Sequence, residues 1–102
     1  KPGTIYVACM EATRPATPAI VRALRMVYAV DWDLEAKSLN AQLRAASKSG
    51  ARLAVLLGED EWKRGEVVLK DLRDGSQQTV DLEAMVDAID RILDSAQEAH
   101  SE

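Results

Sequence analysis

Apolar runs of two different periods alternate along the chain and predict alternating strands and helices. Thr4–Met10 is a short apolar run with the length of a buried strand. Residues 11–17 contain Pro15 and several small side chains, which favours a loop. Thr17 then reads as a helix N-cap with Pro18 at the first helical position. The expected helix ends near Met26, and its apolar face consists of Ile20, Val21 and Leu24.

The middle of the chain repeats this strand–helix–strand pattern. Val27–Asp33 alternates large and small side chains and predicts a second strand. Ser38 is a plausible N-cap for a second helix, in which Leu39, Leu43 and Ala46 form one apolar stripe. Gly50 suits the end of that helix. Arg52–Leu57 is almost entirely apolar, so we expect a third, central strand.

The last third predicts a hairpin and a final helix. Residues 58–61, Gly-Glu-Asp-Glu, indicate either a tight acidic turn or a single helical turn, which Gly65 ends. The remaining expected elements are a fourth strand (Glu66–Leu72), a hairpin turn at Asp74-Gly75, a fifth strand (Gln77–Val80) and a helix from Leu82 to about Ala96 capped by Asp81.

These elements define an α/β domain with a helix-covered, mixed sheet of five strands. Helices join the first three strands, which should therefore run parallel with right-handed crossovers. The hairpin makes strand four antiparallel to strand five. Residues 1–98 are expected to form this single domain, with 99–102 as a frayed tail.

Composition excludes several classes of function but does not identify one. The net charge of -4 and the pI near 5.0 argue against a general nucleic-acid binder, which needs clustered Lys and Arg. Cys9 is the single cysteine and His100 the single histidine, so no intrachain disulfide, Cys/His zinc cluster or Cys–His catalytic pair is expected. We predict no metal, no cofactor, no membrane segment, no signal peptide and a cytoplasmic location.

Three segments carry a more specific signal: Asp33–Leu43 (DLEAKSLNAQL), Ser49–Glu61 (SGARLAVLLGEDE) and Gly65–Leu72 (GEVVLKDL). Together they resemble the C-terminal anticodon-binding domain of histidyl-tRNA synthetases, over about Asp33 to Leu82. The resemblance implies a sheet of order 2-1-3-4-5 with helices on both faces.

The resemblance also implies that the chain recognises a tRNA anticodon stem-loop and has no catalytic residue of its own. Ligase activity would belong to the full-length parent, a histidine-tRNA ligase. The implied partners are tRNA, the class II catalytic domain of that parent and a second copy in a homodimer. Lys1-Pro2-Gly3, directly before the first strand, suggests an excised piece of the parent.

In related domains, the Glu that closes the acidic turn and a basic residue of the next strand contact anticodon bases. The resemblance places these roles on Glu61 and Lys70. Carboxylates accept hydrogen bonds from base amino and imino groups, and Lys donates hydrogen bonds to base oxygens. A solvated turn explains Glu61 about equally well, and Lys70 could be an ordinary strand-surface lysine.

Four further residues complete the candidate RNA-binding set. Trp62 could stack on a base, although a tryptophan beside a turn more often packs on its own domain. Lys63 and Arg64 could contact phosphates or simply keep the turn soluble. Lys37 and Ser38 could present a helix N-terminus to a phosphate, although capping alone explains Ser38.

The sequence leaves one alternative function open and disfavours another. A synthetase-like regulatory or dimerisation module, without anticodon reading, suits the acidic charge. A doubly wound phosphoacceptor or nucleotide-binding domain does not suit the sequence, because strand three ends in Gly58 and the five glycines form no phosphate-binding fingerprint.

Overall fold

The predicted α/β architecture is confirmed. The computed structural model describes residues 4–35 and 37–101, with side chains through residue 94. The strands are β1 (Thr4–Cys9), β2 (Ala29–Trp32), β3 (Leu53–Leu57), β4 (Glu66–Asp71) and β5 (Gln77–Asp81). The helices are α1 (Thr17–Arg25), α2 (Leu39–Ser49), α3 (Glu59–Lys63) and α4 (Met85–Ser101).

The strands form one sheet in the order β2-β1-β3-β4-β5, as the resemblance implied. β1 is parallel to both β2 and β3, which confirms the prediction for the three strands that helices connect. β4 is antiparallel to β3 and to β5. The hairpin turn is also confirmed: Gly75 has a φ of 79°, and the carboxylate of Asp74 accepts a hydrogen bond of 2.9 Å from the Ser76 N–H.

Alternation along the strands sorts side chains onto two faces of the sheet. One side, which we call the α1/α4 face, carries the main core. Its buried members include Val7, Val55 and Leu69, packed against Leu24 of α1 and Ile89 of α4. The other side, the α2 face, is covered by α2; its buried sheet residues include Tyr6, Ala8, Ala54 and Leu56, and Ala46 of α2 is buried with them.

Gln42 fastens α2 to the sheet. Its side-chain amide lies in the core and bonds both backbone groups of Cys9: Oε1 accepts from the N–H at 2.9 Å and Nε2 donates to the carbonyl at 2.7 Å. β2 pairs with β1 only as far as Val7 opposite Trp32, so β2 does not extend to Cys9. The glutamine amide thus takes the hydrogen-bonding place of a peptide group where the strand is missing.

The expected loop before α1 is a 3-10 helix, Glu11–Ala16, and the predicted cap was wrong. α1 begins at Thr17, after an N-cap at Ala16 that makes no side-chain hydrogen bond. The physical reason is that the Thr17 hydroxyl is buried and donates to the Thr13 carbonyl at 3.0 Å. Thr13 in turn donates at 2.6 Å to the carbonyl of Leu57, which fixes the segment against the end of β3.

The other observed ends of helices and strands lie closer to the predicted ones. Ser38 caps α2 as predicted, accepting from the Ala41 N–H at 3.1 Å, and Gly50 ends it with a φ of 80°. Asp81 ends β5 and makes no capping hydrogen bond; a 3-10 turn, Leu82–Ala84, precedes α4. α4 continues past the expected end at Ala96 to Ser101. Lys1-Pro2-Gly3 and Glu102 lie outside the described residues.

Replacing Gln42 by Leu should destabilise the domain by about 3 kcal/mol, because both backbone groups of Cys9 would lose their partners while remaining buried. Chemical denaturation measures the change. Asn40→Leu is the matched control, since Asn40 is exposed on the same helix and should tolerate the same change within about 0.5 kcal/mol. Equal stability of the two variants would contradict the anchoring role of Gln42.

Candidate nucleic-acid interface

The acidic turn after β3 is a short helix, so the helical alternative of the sequence analysis is the correct one. Gly58 precedes α3 as its N-cap, and the Trp62 N–H donates to the Gly58 carbonyl at 2.8 Å. The first turn contains Glu59, Asp60 and Glu61, where carboxylates favourably oppose the helix dipole. α3 therefore places three negative charges at the edge of the sheet where the parallel strands β1 and β3 end.

Glu61 does not extend freely into solvent but folds back over the start of α3. A Cβ atom on Gly58 would overlap Glu61 Oε1, so the carboxylate lies where any other residue's side chain would begin. The Glu61 side chain is 30% exposed, and its Oε2 lies 3.8 Å from the Arg64 guanidinium. Glycine at position 58 therefore makes room for the position that the Glu61 carboxylate adopts.

The other candidates on α3 have different environments. Trp62 is partly buried and packs against the main core on the α1/α4 face, the alternative that its sequence position favoured. Lys63 is exposed and pairs with Glu59 at 3.6 Å. Arg64 is exposed and bridges two carboxylates: it lies 3.0 Å from Glu66 at the start of β4 and 3.8 Å from Glu61. Arg64 thus connects α3 to the start of β4.

Lys70 lies on the α2 face of β4, beside Ala54 of β3 on one side and Gln77 of β5 on the other. It is half-buried. Within the part of the chain that the structure describes, its ammonium group makes no hydrogen bond or ion pair. A lysine held on a sheet surface without a partner retains its full capacity to donate to a ligand.

Lys37 lies apart from the other candidates. It precedes α2 at the β2 side of the sheet and pairs with Asp33 at 2.9 Å. The hydrogen bond from Lys37, followed by that from the Glu35 N–H, lowers the pKa of the Asp33 carboxyl, and the same pairing raises the pKa of Lys37. Arg14 reinforces this loop by donating to the carbonyls of Asp33, Leu34 and Glu35.

Beyond the reach of α2, the α2 face of the hairpin is uncovered. We call this surface the open hairpin face; it consists of Glu66, Val68 and Lys70 of β4 and their cross-strand partners Asp81, Thr79 and Gln77 of β5. The three β5 residues are exposed and the three β4 residues half-buried. Arg64 brings Glu61 to one end of it, and Lys70 lies four residues along β4, about 13 Å from Glu66.

Gln77 and Thr79 were missed as candidates by sequence reasoning. Part of the signal was present, because a hairpin centred on Asp74-Gly75 would place residues 77 and 79 on the same face as Lys70, with Thr79 opposite it. Finding it required the pairing register, which sequence alone left open. The structure supplies that register as Lys70 opposite Gln77 and Val68 opposite Thr79.

The opposite side of the hairpin is covered by α4 and contains a cavity. A cavity of about 330 Å³ lies there between the sheet and α4, lined by Gln78, Ala88, Arg91 and Ile92 together with Asp71, Arg73 and Asp74. Among the described residues, no three His, Cys, Asp or Glu side chains converge in a way that could hold a metal ion. In the same part of the chain, no helix has the length and apolarity to cross a membrane.

The fold and the sequence define the class of this domain. Residues 5–92 match the family described as "Anticodon binding domain". The match covers most of the chain, and the chain belongs to this family.

Within that class, the similarity is to histidyl-tRNA synthetases, with whose C-terminal domains the chain is homologous. Histidine–tRNA ligase of Synechococcus sp. strain RCC307 is 34% identical over 87 residues, 84% of this chain and 21% of the relative. That of Trichlorobacter lovleyi is 39% identical over 82 residues, 78% of this chain and 20% of the relative. The crystal structure of histidyl-tRNA synthetase from Nostoc sp. PCC 7120 superposes with a TM-score of 0.80 and 30% identity, covering 91% of this chain and 22% of that one. The chain thus spans about a fifth of the curated relatives' length.

Two glycine substitutions should have different effects: one should displace the Glu61 carboxylate, and the other should strain the backbone. Gly58→Ala should leave stability nearly unchanged, because a φ of -71° suits any residue, but it should displace the Glu61 side chain. Gly65→Ala meets no neighbouring atom but places alanine at a φ of 76°, which should cost about 1–2 kcal/mol.

Thermal unfolding measures the stabilities, and side-chain NMR shifts of Glu61 report its displacement. Unchanged Glu61 shifts in the Gly58→Ala protein would show that the carboxylate does not depend on the missing Cβ.

Proposed function

We propose that the chain binds the anticodon stem-loop of histidine tRNA as the C-terminal domain of a histidyl-tRNA synthetase, and that it performs no chemistry alone. The observation that carries this proposal is membership of the anticodon-binding family together with similarity to histidine–tRNA ligases. Family membership implies tRNA as the ligand. Aminoacylation would belong to the rest of the parent protein.

The contacts proposed for Glu61 and Lys70 agree with their environments. Unpaired bases of a loop expose their hydrogen-bonding edges, and proteins read these edges with acceptors and donors. Glu61 supplies a half-buried carboxylate that can accept from a base amino or imino group. Lys70, which has no internal partner among the described residues, can donate to a base oxygen or ring nitrogen.

The remaining candidates would act mainly through phosphates. Lys63, Arg64 and Lys37 each pair already with a carboxylate, so a phosphate would have to compete with or share that partner. Trp62 packs on the core and would offer at most its exposed edge to a base. We therefore rank Glu61 and Lys70 first and these four residues after them.

The finer partners follow from the same proposal. A class II catalytic domain in the parent would supply most of the phosphate contacts, since this domain carries a net charge of -4. The parent would be cytoplasmic, where its buried, free Cys9 would remain reduced. A homodimer of the parent is a further prediction.

The experiment is a fluorescence titration of a labelled histidine-tRNA anticodon stem-loop with the wild-type domain and with Glu61→Gln and Lys70→Gln. We expect weak, salt-sensitive binding that each substitution lowers by about tenfold, because a base contact contributes about 1–3 kcal/mol. Lys48→Gln is the control: Lys48 is exposed near the end of α2 and should change affinity little.

Four outcomes would each count against a different part of the proposal. Equal binding to a stem-loop with an unrelated anticodon would contradict anticodon recognition by this domain. A stable dimer that does not bind RNA would favour a structural module. Selective binding that neither Glu61→Gln nor Lys70→Gln alters would keep the function but reject these two residues as readers. A salt slope lowered by about one in Lys70→Gln would assign Lys70 to a phosphate instead of a base.

A further inference from the structure

We propose that Gln77, with Thr79 beside it, reads one unpaired base of the anticodon loop on the open hairpin face, together with Lys70. This inference rests on the proposed function and assigns two residues of β5 to the recognition of the same RNA. It begins from the pairing of β4 with β5, which fixes which side chains stand next to one another. The pairs on this face are Lys70 with Gln77, Val68 with Thr79 and Glu66 with Asp81.

The two faces of β5 have unequal surroundings. Val80 packs against the main core on the α1/α4 face, and Gln78 lines the cavity against α4. Gln77 and Thr79 point the other way, to the side on which Val68 of β4 packs, partly buried, at the margin of the apolar cluster formed by Ala54 and Leu56. Both β5 side chains are exposed, and within the described residues neither makes a side-chain hydrogen bond.

The side chains on this face suit a base better than a phosphate. Directly opposite residues in an antiparallel pair have Cβ atoms about 5 Å apart, so the Lys70 ammonium and the Gln77 amide can meet one planar ligand. The amide has both a donor and an acceptor, which allows a bidentate contact with a base edge. Val68 adds an apolar surface between the polar groups, on which a base face can rest.

Charge on the face also disfavours a phosphate ligand. Glu66 and Asp81 occupy one end of the face and Lys70 is its single cation. A phosphate would be repelled by the two carboxylates, whereas a neutral base has donors and acceptors for both ends. Lys70 and Gln77 together favour a purine: its O6 and N7 atoms accept from the lysine ammonium or the glutamine NH2 group, and an N6 amino group donates to the glutamine oxygen.

The test uses a pair of neighbouring glutamines that differ in face. Gln77→Ala should weaken binding of the histidine-tRNA anticodon stem-loop about tenfold, whereas Gln78→Ala, on the α4 side of the same strand, should leave it unchanged. Substituting each loop base in turn should reveal one purine position at which wild type discriminates and Gln77→Ala does not. Thr79→Val should produce a smaller loss at the same position.

The outcomes separate this inference from the proposed function. If wild type fails to prefer the histidine stem-loop, the proposed function fails and this inference fails with it. If wild type is selective and Lys70→Gln weakens binding, but Gln77→Ala and Gln78→Ala bind alike, only the role of Gln77 is overturned. Circular dichroism melting of both variants checks folding, and equal melting temperatures ensure that a Gln77→Ala defect reports a lost contact.

Discussion

The buried amide of Gln42 is the interaction on which the arrangement of this domain depends most. β2 is too short to pair with the end of β1, which would leave the Cys9 peptide groups buried without partners. Gln42 satisfies both of them, and its Nε2 also donates to the Lys37 carbonyl at 2.9 Å. A single side chain therefore fixes the start of α2, the end of β1 and the loop that carries Lys37 in one position.

This anchoring determines which part of the sheet remains available to a ligand. With its start held at the end of β1, α2 covers β1 and β3 through small residues such as Ala46. On the other face, α1 and α4 cover the sheet from Val30 on β2 to Val80 on β5. On the α2 side, the hairpin of β4 and β5, next to the helix that carries Glu61, consequently remains uncovered.

Local patterns predicted the elements, while contacts distant in sequence determined what sequence analysis missed. Hydrophobic periodicity and the glycines at 50 and 75 indicated every strand and three of the four helices, and left α3 as an alternative. The segment 11–16 was expected to be a loop because of Pro15 and its small side chains. Its 3-10 helix is fixed by Thr13 bonding Leu57, a contact between residues 44 apart in sequence that no local pattern shows. Lys70 was a candidate through the resemblance, but Gln77 became a candidate only when the strand register showed that it pairs with Lys70.

The acidic charge of the domain argues against general nucleic-acid binding, but it is consistent with the kind of recognition proposed. A surface that gains affinity from phosphates needs clustered cations, but here most cations of the candidate set are already paired with carboxylates. The cation left unpaired, Lys70, lies on a sheet face beside an amide and an apolar side chain. Such a surface contributes little to non-specific attraction and can contribute to discrimination between bases, which depends on donors and acceptors held in fixed positions. On the proposed function, therefore, the domain supplies selectivity, and the catalytic body of the parent supplies most of the electrostatic attraction.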